Sequence, residues 1–201
     1  MNYRKLGKSG LEVSAIGLGA NNFGGRLDYE SSDSVISQLF DVGINLIDTS
    51  NSYGNTLSEE YIGRSLEGRR EKAVIATKVS SRLSEGPNQA GNSRKHITEQ
   101  VENSLTRLRT DYIDLYQIHW WDSTTPIEET LRTLDDLVTQ GKIRYFGCSN
   151  FSAWQVCESV WTSKELGIQT FISAQPHYSM LERNVEYELI PFCGKYGVGI
   201  L

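Results

Sequence analysis

The stretch Asn45-Leu46-Ile47-Asp48-Thr49-Ser50-Asn51-Ser52-Tyr53-Gly54 joins a short, largely apolar run to a polar loop that carries two ionisable side chains. Asp48 ends the apolar run, and Tyr53 follows five residues later among small polar residues. A buried strand that ends in a carboxylate and continues into a loop with a phenol is typical of the rim of a β/α barrel, where catalytic groups are displayed. The stretch therefore predicts a strand that ends at a functional rim.

Similar apolar runs recur along the chain, and each is followed by a helical pattern. Their spacing is roughly 30 residues, and strand–helix alternation of this kind predicts a parallel sheet. The runs begin near residues 15, 45, 73, 112, 143, 170 and 198. Before the first run, apolar residues on both sides of Lys8-Ser9-Gly10 predict a short β-hairpin.

The segments between these runs have apolar residues at helical spacing. One helix is expected to open at Ser31-Ser32-Asp33, and another at about Ser58, which we interpret as its N-cap. Residues 80–95 are rich in polar residues and glycine and predict a long loop. The pattern of residues 184–196 predicts a helix that is kinked at Pro191.

Two architectures contain such a parallel sheet. A doubly wound sheet usually carries the dinucleotide fingerprint GxGxxG after its first strand, but Gly17-Leu18-Gly19-Ala20-Asn21-Asn22 lacks the third glycine. Seven even repeats favour the other architecture, the (β/α)8 TIM barrel, in a chain of 201 residues that lies near its lower length limit of about 200. We therefore predict an α/β chain with a single barrel domain over residues 1–201, incomplete at its C-terminal end, with seven of the eight strands and an N-terminal hairpin.

Composition excludes several classes of protein. The net charge is −5 and no basic stripe is present, which argues against a nucleic acid or membrane partner. The N-terminal residues Met1 to Gly7 do not resemble a signal peptide, and no apolar run is long enough to span a bilayer. The chain has three cysteines, Cys148, Cys157 and Cys193. This odd number, without a CxxC pair, indicates reduced thiols, so a cytoplasmic protein is expected.

Four ionisable residues fall at or just after the ends of three neighbouring predicted strands. They are Asp48, Tyr53, Lys78 and His119. Each residue alone is compatible with a structural role, such as a turn cap, a surface lysine or a buried histidine. Together they predict one rim site.

These four side chains could polarise and protonate a carbonyl group. Tyr53 would be the general acid, and the ammonium of Lys78 is expected to lower its pKa from the usual value near 10. A carboxylate beside Lys78 would keep it charged, and a neutral His119 would donate a hydrogen bond to the carbonyl oxygen. The chain has three histidines without metal-ligand spacing, so no metal site is predicted and a hydride cofactor is the expected electron-pair donor.

The chain resembles the aldo-keto reductase family from Tyr3 to Leu201. The matching motifs are Tyr3-Arg4-Lys5-Leu6-Gly7, Ile16-Gly17-Leu18-Gly19, Gly43-Ile44-Asn45-Leu46-Ile47-Asp48-Thr49-Ser50 with Tyr53-Gly54, Ala76-Thr77-Lys78, Asp114-Leu115-Tyr116-Gln117-Ile118-His119 and residues 141–151 (Gly141 to Phe151). The resemblance implies NADPH-dependent reduction of aldehydes and ketones by the catalytic tetrad Asp48, Tyr53, Lys78 and His119. NADP is preferred over NAD here only because it is the family default.

The resemblance also implies binding residues. Seven residues would contact the cofactor: Gly19, Ala20, Asn21, Asp48, Ser149, Asn150 and Gln175. Trp120 and Trp121 would line the substrate mouth, although packing between barrel and helix is an equal alternative for either residue.

Some positions depart from the family pattern. Ile44-Asn45 replaces the aromatic–arginine pair of many steroid- and sugar-reducing members, so the chain is similar to the bacterial and potassium-channel β-subunit branch. Ala20-Asn21 replaces the threonine–tryptophan pair that is common in those relatives. In the family, segments after the seventh and eighth strands hold the adenosine and its 2′-phosphate, and these are expected to be missing after Leu201.

Two alternatives to an active reductase remain open. The chain could be a cofactor-binding regulatory subunit, or a truncated barrel without activity. The sequence does not identify the carbonyl substrate or decide whether the protein forms a homo-oligomer.

Overall fold

A computed structural model describes residues 1–201. The strands are β1 (Tyr3–Lys5), β2 (Glu12–Ser14), β3 (Leu18–Gly19), β4 (Leu46–Asp48), β5 (Val74–Val79), β6 (Ile113–Ile118), β7 (Ile143–Ser149), β8 (Ser173–Gln175) and β9 (Gly199–Ile200). The α-helices are α1 (Tyr29–Asp41), α2 (Leu57–Ser65), α3 (Arg94–Arg107), α4 (Ile127–Thr139), α5 (Ala153–Leu166) and α6 (Leu189–Tyr196), and short 3-10 turns form at Arg70–Lys72 and Asn184–Glu186.

Strands β3 to β9 form a seven-stranded parallel sheet whose spatial order follows the sequence. A doubly wound sheet would instead reverse its strand order at a switch point. The sheet curls into part of a barrel, and β1 and β2 form a separate antiparallel hairpin. The predicted fold class, a partial (β/α)8 barrel with seven strands and an N-terminal hairpin, is therefore confirmed.

The two faces of each strand have different neighbours. Ile47 and Ile75 belong to the main core, a cluster of 31 buried residues that includes residues of the outer helices. Leu46 and Ala76 belong instead to a small inner cluster with residues of the hairpin. Side chains alternate between faces along a strand, so Asp48 and Lys78 project to the same interior as Leu46 and Ala76.

A cavity of about 420 Å³ lies beside this interior. Residues of the hairpin, of the strand edges β3 and β9, and the rim residues Asp48 and Gln175 line it. The barrel is thus open between its first and last strands, directly below the predicted site.

Two helices begin earlier than predicted. Helix α1 starts at Tyr29 because Asp28 caps it: Asp28 Oδ1 accepts a hydrogen bond from the Ser31 backbone N–H at 2.9 Å. Helix α2 starts at Leu57 after Thr56, so Ser58 is not the N-cap. The buried Ser58 hydroxyl donates instead to the carbonyl oxygen of Ala20 at 2.9 Å and joins α2 to the end of β3.

The prediction of one kinked helix over residues 184–196 was wrong. Asn184–Glu186 is a separate 3-10 turn, and Pro191 is the third residue of α6. In the first turn of a helix the backbone N–H has no partner within the helix, so proline is accommodated there without breaking a hydrogen bond.

None of the helices has both the length and the apolar character that a membrane crossing requires.

Helices α2 and α3 approach closely at Gly63, and this contact gives a stability prediction. A Cβ atom at Gly63 would lie 2.3 Å from the Arg107 carbonyl oxygen and 2.6 Å from the Leu108 carbonyl carbon, which are backbone atoms that cannot rotate away. We expect Gly63→Ala to lower the free energy of unfolding by about 1–3 kcal/mol, as overpacking does. Urea unfolding followed by circular dichroism would measure the change.

Gly194 in α6 is the matched control, because a Cβ atom there meets no atom within 4 Å. Gly194→Ala should raise the free energy of unfolding by about 0.5–1 kcal/mol through helix propensity. Equal effects of the two substitutions would contradict a close α2–α3 contact at Gly63.

Candidate active site

The centre of the site is an ion pair between neighbouring strands. Lys78 on β5 is 1% exposed, and its Nζ donates to both carboxylate oxygens of Asp48 on β4 at 2.7 Å and to the Thr49 carbonyl oxygen at 2.8 Å. An ammonium group has three N–H donors, so these three bonds use all of them. The buried charge of Lys78 is thus fully partnered, but it has no N–H left for another group in this arrangement.

Burial and Asp48 act in opposite directions on Lys78. Removal from water lowers the pKa of the Lys78 ammonium, and the charge and hydrogen bonds of Asp48 raise it again. The carboxylate therefore stabilises the charged form of a lysine that burial alone would favour as neutral.

Tyr53 lies above this pair in the loop after β4. Its ring centroid is 5.1 Å from Lys78 Nζ and 6.0 Å from the centroid of the His119 ring. Its hydroxyl makes no hydrogen bond within the chain and is not sealed from solvent. The phenol can therefore reach a small molecule bound at the rim.

The expected effect of Lys78 on Tyr53 was wrong. The pKa of Tyr53 is raised to about 12, first by burial and then by the negative charge of Asp48. Both causes disfavour the phenolate, and the expected lowering by Lys78 is not found. Tyr53 is consequently a protonated phenol at neutral pH, which is the form that a general acid requires.

His119 follows the last residue of β6 and is held from several sides. Its backbone N–H donates to the Val79 carbonyl oxygen at 2.8 Å, and its ring stacks on Trp120 with centroids 5.3 Å apart. Burial, and then the charge of Lys78, lower the pKa of His119 to about 4. The imidazole is therefore neutral at neutral pH, as the sequence-based mechanism requires.

Polar side chains from β7 and β8 meet beside His119. The Ser149 hydroxyl donates to the Gln175 carbonyl oxygen at 2.9 Å, and Asn150 Nδ2 donates to the carbonyl oxygen of His119 at 3.2 Å. Asn150 Oδ1 and Gln175 Nε2 make no hydrogen bond within the chain and are not sealed from solvent. An amide acceptor and an amide donor are thus free, and they complement the carboxamide of a nicotinamide.

The remaining predicted residues lie at the same rim but are unequally accessible. Gly19, the last residue of β3, and Asn21, two residues later, are exposed. Ala20 is buried, and its backbone N–H and carbonyl groups are engaged with Asp48 and Ser58.

The two tryptophans have different surroundings. Trp120 is 52% exposed beside His119, and it therefore borders the mouth of the site. Trp121 packs edge-on against Phe151 and Trp154, so it joins the rim to helix α5.

Sequence reasoning missed two polar side chains in contact with the tetrad. Gln117 is buried and places Nε2 3.4 Å from Asp48 Oδ1 and 3.5 Å from Gln175 Oε1. Gln117 lies on β6 two residues before His119, which directly follows the strand, so strand periodicity could have placed it in the barrel interior. Ser50 is the second, with its hydroxyl oxygen 3.4 Å from His119 Nδ1, and no sequence signal identifies it beyond its position near Asp48.

No group of three or more histidine, cysteine or carboxylate side chains is arranged to hold a metal ion.

The fold and this rim define a β/α-barrel protein with a cluster of polar and ionisable side chains at the carboxyl ends of its strands. Comparison with known proteins agrees, because the model of the family described as "Aldo/keto reductase family" matches residues 15–201. The chain belongs to the aldo/keto reductase family.

Three relatives show which kinds of protein are similar in sequence to this chain. A "Probable voltage-gated potassium channel subunit beta" of Arabidopsis thaliana is 40% identical over 205 residues, which cover 100% of this chain and 62% of the relative. "Aldo-keto reductase YhdN" of Bacillus subtilis is 38% identical, with 96% of this chain and 58% of the relative covered. "Aryl-alcohol dehydrogenase [NADP(+)]" of Phanerodontia chrysosporium is 36% identical, with coverage of 95% and 54%. The chain thus spans less than two thirds of the length of these relatives.

The electrostatic coupling of Lys78 and His119 gives a pH prediction. Lys78 contributes to lowering the pKa of His119, so Lys78→Met should raise that pKa from about 4 toward the ordinary value of about 6.5. The increase should be incomplete because burial remains. Titration of the His119 ring signals by NMR would measure it.

Asp48→Asn is a second test of the same coupling. It removes the carboxylate that favours the charged form of the buried Lys78, so the pKa of His119 should again rise from about 4. A decrease of that pKa in Lys78→Met would contradict the assignment.

Proposed function

We propose that the protein reduces aldehydes or ketones to alcohols with NADPH. The observation that carries the proposal is the pairing of two neutral hydrogen-bond groups above a buried ion pair: the Tyr53 phenol and the His119 imidazole. Tyr53 Oη and His119 Nε2 have no hydrogen-bond partner within the chain and are accessible at the open rim. Carbonyl reduction needs such donors, because negative charge develops on the oxygen as the carbonyl carbon is reduced.

Each side chain then has a definite task. Tyr53 holds its proton at Oη and transfers it to the carbonyl oxygen, for which a protonated phenol at neutral pH is suited. His119 orients the carbonyl through a hydrogen bond from Nε2. Lys78 Nζ lies 5.1 Å from the Tyr53 ring centroid, and the charge of its partner Asp48 helps to keep the phenol protonated until the proton is transferred.

The cofactor would lie on the β7–β8 side of the tetrad. Ser149, Asn150 and Gln175 offer a hydroxyl group, a free amide oxygen and a free amide nitrogen, and this set fits a carboxamide. A bound reduced nicotinamide would supply the hydride. Gly19 and Asn21 are accessible for further contacts, and the choice of NADP over NAD is supported by the name of one relative, "Aryl-alcohol dehydrogenase [NADP(+)]".

The substrate would enter beside Trp120. This exposed indole, stacked on His119, offers an apolar wall next to the hydrogen-bond donors. A small carbonyl compound with an apolar or aromatic substituent fits that surface. We also propose that residues 1–201 belong to a single domain and that the protein acts in the cytoplasm.

A regulatory role is the second candidate. The relative at 40% identity is named as a probable voltage-gated potassium channel subunit beta, which supports a role as a subunit of a larger assembly. Tight binding of NADPH without turnover of any aldehyde tested would favour this role over catalysis.

The reductase proposal predicts the effect of removing one hydroxyl group. Tyr53→Phe deletes the proton donor and keeps the ring, so kcat for aldehyde reduction should fall by at least about 100-fold, in the usual range for loss of a general acid. NADPH oxidation followed at a range of aldehyde concentrations would measure kcat, and fluorescence titration would measure NADPH affinity, which should change little.

Tyr61→Phe is the matched control, since Tyr61 lies on α2 and its ring packs on Tyr29 away from the tetrad. It should leave kcat unchanged. If Tyr53→Phe turned over aldehydes at the wild-type rate, Tyr53 would not be the acid and the assignment would be abandoned.

A further inference from the structure

The ring of His119 has one polar neighbour at Nδ1. That neighbour is the hydroxyl group of Ser50, whose oxygen is 3.4 Å away. Ser50 is fully buried in the loop between Asp48 and Tyr53. The ring of His119 also contacts Trp120 and Tyr53, but neither contact involves a hydrogen bond to a ring nitrogen. Ser50 is therefore the residue that can form a hydrogen bond with Nδ1 of His119.

The proton on a neutral imidazole can occupy either nitrogen. His119 is neutral at neutral pH because its pKa is lowered to about 4. The nitrogen that carries the proton is a donor and the other is an acceptor, and a hydrogen bond at one nitrogen selects the tautomer. His119 Nε2 makes no bond within the chain and is not sealed from solvent, so it is the nitrogen available to a substrate.

Ser50 Oγ can donate to His119 Nδ1 while it accepts from its other neighbours. The Ser52 backbone N–H donates to Ser50 Oγ at 3.3 Å, so the Ser50 oxygen already acts as an acceptor. Ser50 Oγ also lies 3.1 Å from Ser52 Oγ, a contact in which either hydroxyl group can donate. When the Ser52 hydroxyl donates, the proton of Ser50 is free for His119 Nδ1 at 3.4 Å or for Asn51 Oδ1 at 3.5 Å.

We infer that Ser50 is a positioning residue that donates its hydroxyl proton to His119 Nδ1 and thereby holds the imidazole in the tautomer with its proton on Nε2. The inference rests on the proposed function, because a carbonyl oxygen needs a donor and only this tautomer supplies one at the accessible nitrogen. Ser50 itself does not contact the substrate. Its effect passes entirely through the His119 ring.

The tautomer can be measured without any turnover. Nitrogen-15 NMR distinguishes a protonated from an unprotonated ring nitrogen, and the protein has only three histidines, so the His119 signals can be assigned by comparison with His119→Gln. At neutral pH the wild-type protein should show a protonated Nε2 and an unprotonated Nδ1. A wild-type ring protonated at Nδ1 would overturn the inference by itself, whatever the variants show.

Two serine variants then test the cause. Ser50→Ala should give a mixture of tautomers, because nothing else hydrogen-bonds to Nδ1. Ser52→Ala is the matched control: it removes a neighbouring hydroxyl group, leaves Ser50 in place and should preserve the wild-type tautomer. If Ser50→Ala, shown to be folded by circular dichroism, retained the wild-type tautomer ratio, Ser50 would have no role in selecting it.

Kinetics separate this inference from the proposed function. In an active reductase, Ser50→Ala should lower kcat for aldehyde reduction by about tenfold, the usual effect of losing one orienting hydrogen bond, and leave NADPH affinity unchanged. An unchanged kcat in an active enzyme would contradict the inference. A protein that shows the expected tautomers but reduces no aldehyde would contradict the proposed function and leave the role of Ser50 intact.

Discussion

The arrangement of the site depends on one buried ion pair, Asp48–Lys78. A charge removed from water is expensive to bury unless it is paired and its hydrogen-bonding groups are satisfied. Lys78, which is 1% exposed, meets this condition with three acceptors on the neighbouring strand and its following residue. Those acceptors come into reach only when β4 and β5 pair in the register that places Asp48 beside Ala76. A slip of one residue would turn Lys78 toward the apolar core and leave two charges unpaired.

The same pair explains why the surrounding groups are neutral. Burial raises the pKa of Tyr53, the negative charge of Asp48 adds to this effect, and the pKa reaches about 12. His119 is farther along the rim, where burial together with the positive end of the pair lowers its pKa to about 4. A phenol and an imidazole that are both uncharged can donate hydrogen bonds to a developing negative charge without first being desolvated as ions.

The sequence predicted the framework of this site because the framework follows from periodicity. Seven apolar runs at even spacing predicted the strand order, and strand ends located Asp48, Lys78 and His119 on one rim. The direction of the Tyr53 pKa shift was predicted wrongly, since it depends on the burial of the phenol and then on the charge of Asp48, which only the three-dimensional arrangement reveals. Ser50 and Gln117 were missed for a similar reason: a serine or glutamine beside a catalytic residue has no distinctive pattern until its partner across the barrel is known. The helix starts at Tyr29 and Leu57 were each missed by two residues because several polar residues in succession could each serve as the cap.

Strand β5 is also held from its outer face. Thr77, the neighbour of Lys78, projects outward and donates to Glu59 Oε1 on α2 at 2.6 Å, while Arg107 Nε on α3 donates to Glu59 Oε2 at 2.6 Å. Glu59 is fully buried, so this contact is shielded from water and joins two helices to the strand that carries Lys78. Consecutive residues of β5 are therefore fixed from opposite sides, Lys78 by the inner pair and Thr77 by the outer one. A site that works through neutral donors depends on the positions of those donors more than on charge. The double attachment of β5 supplies that positional control where Lys78, Tyr53 and His119 meet.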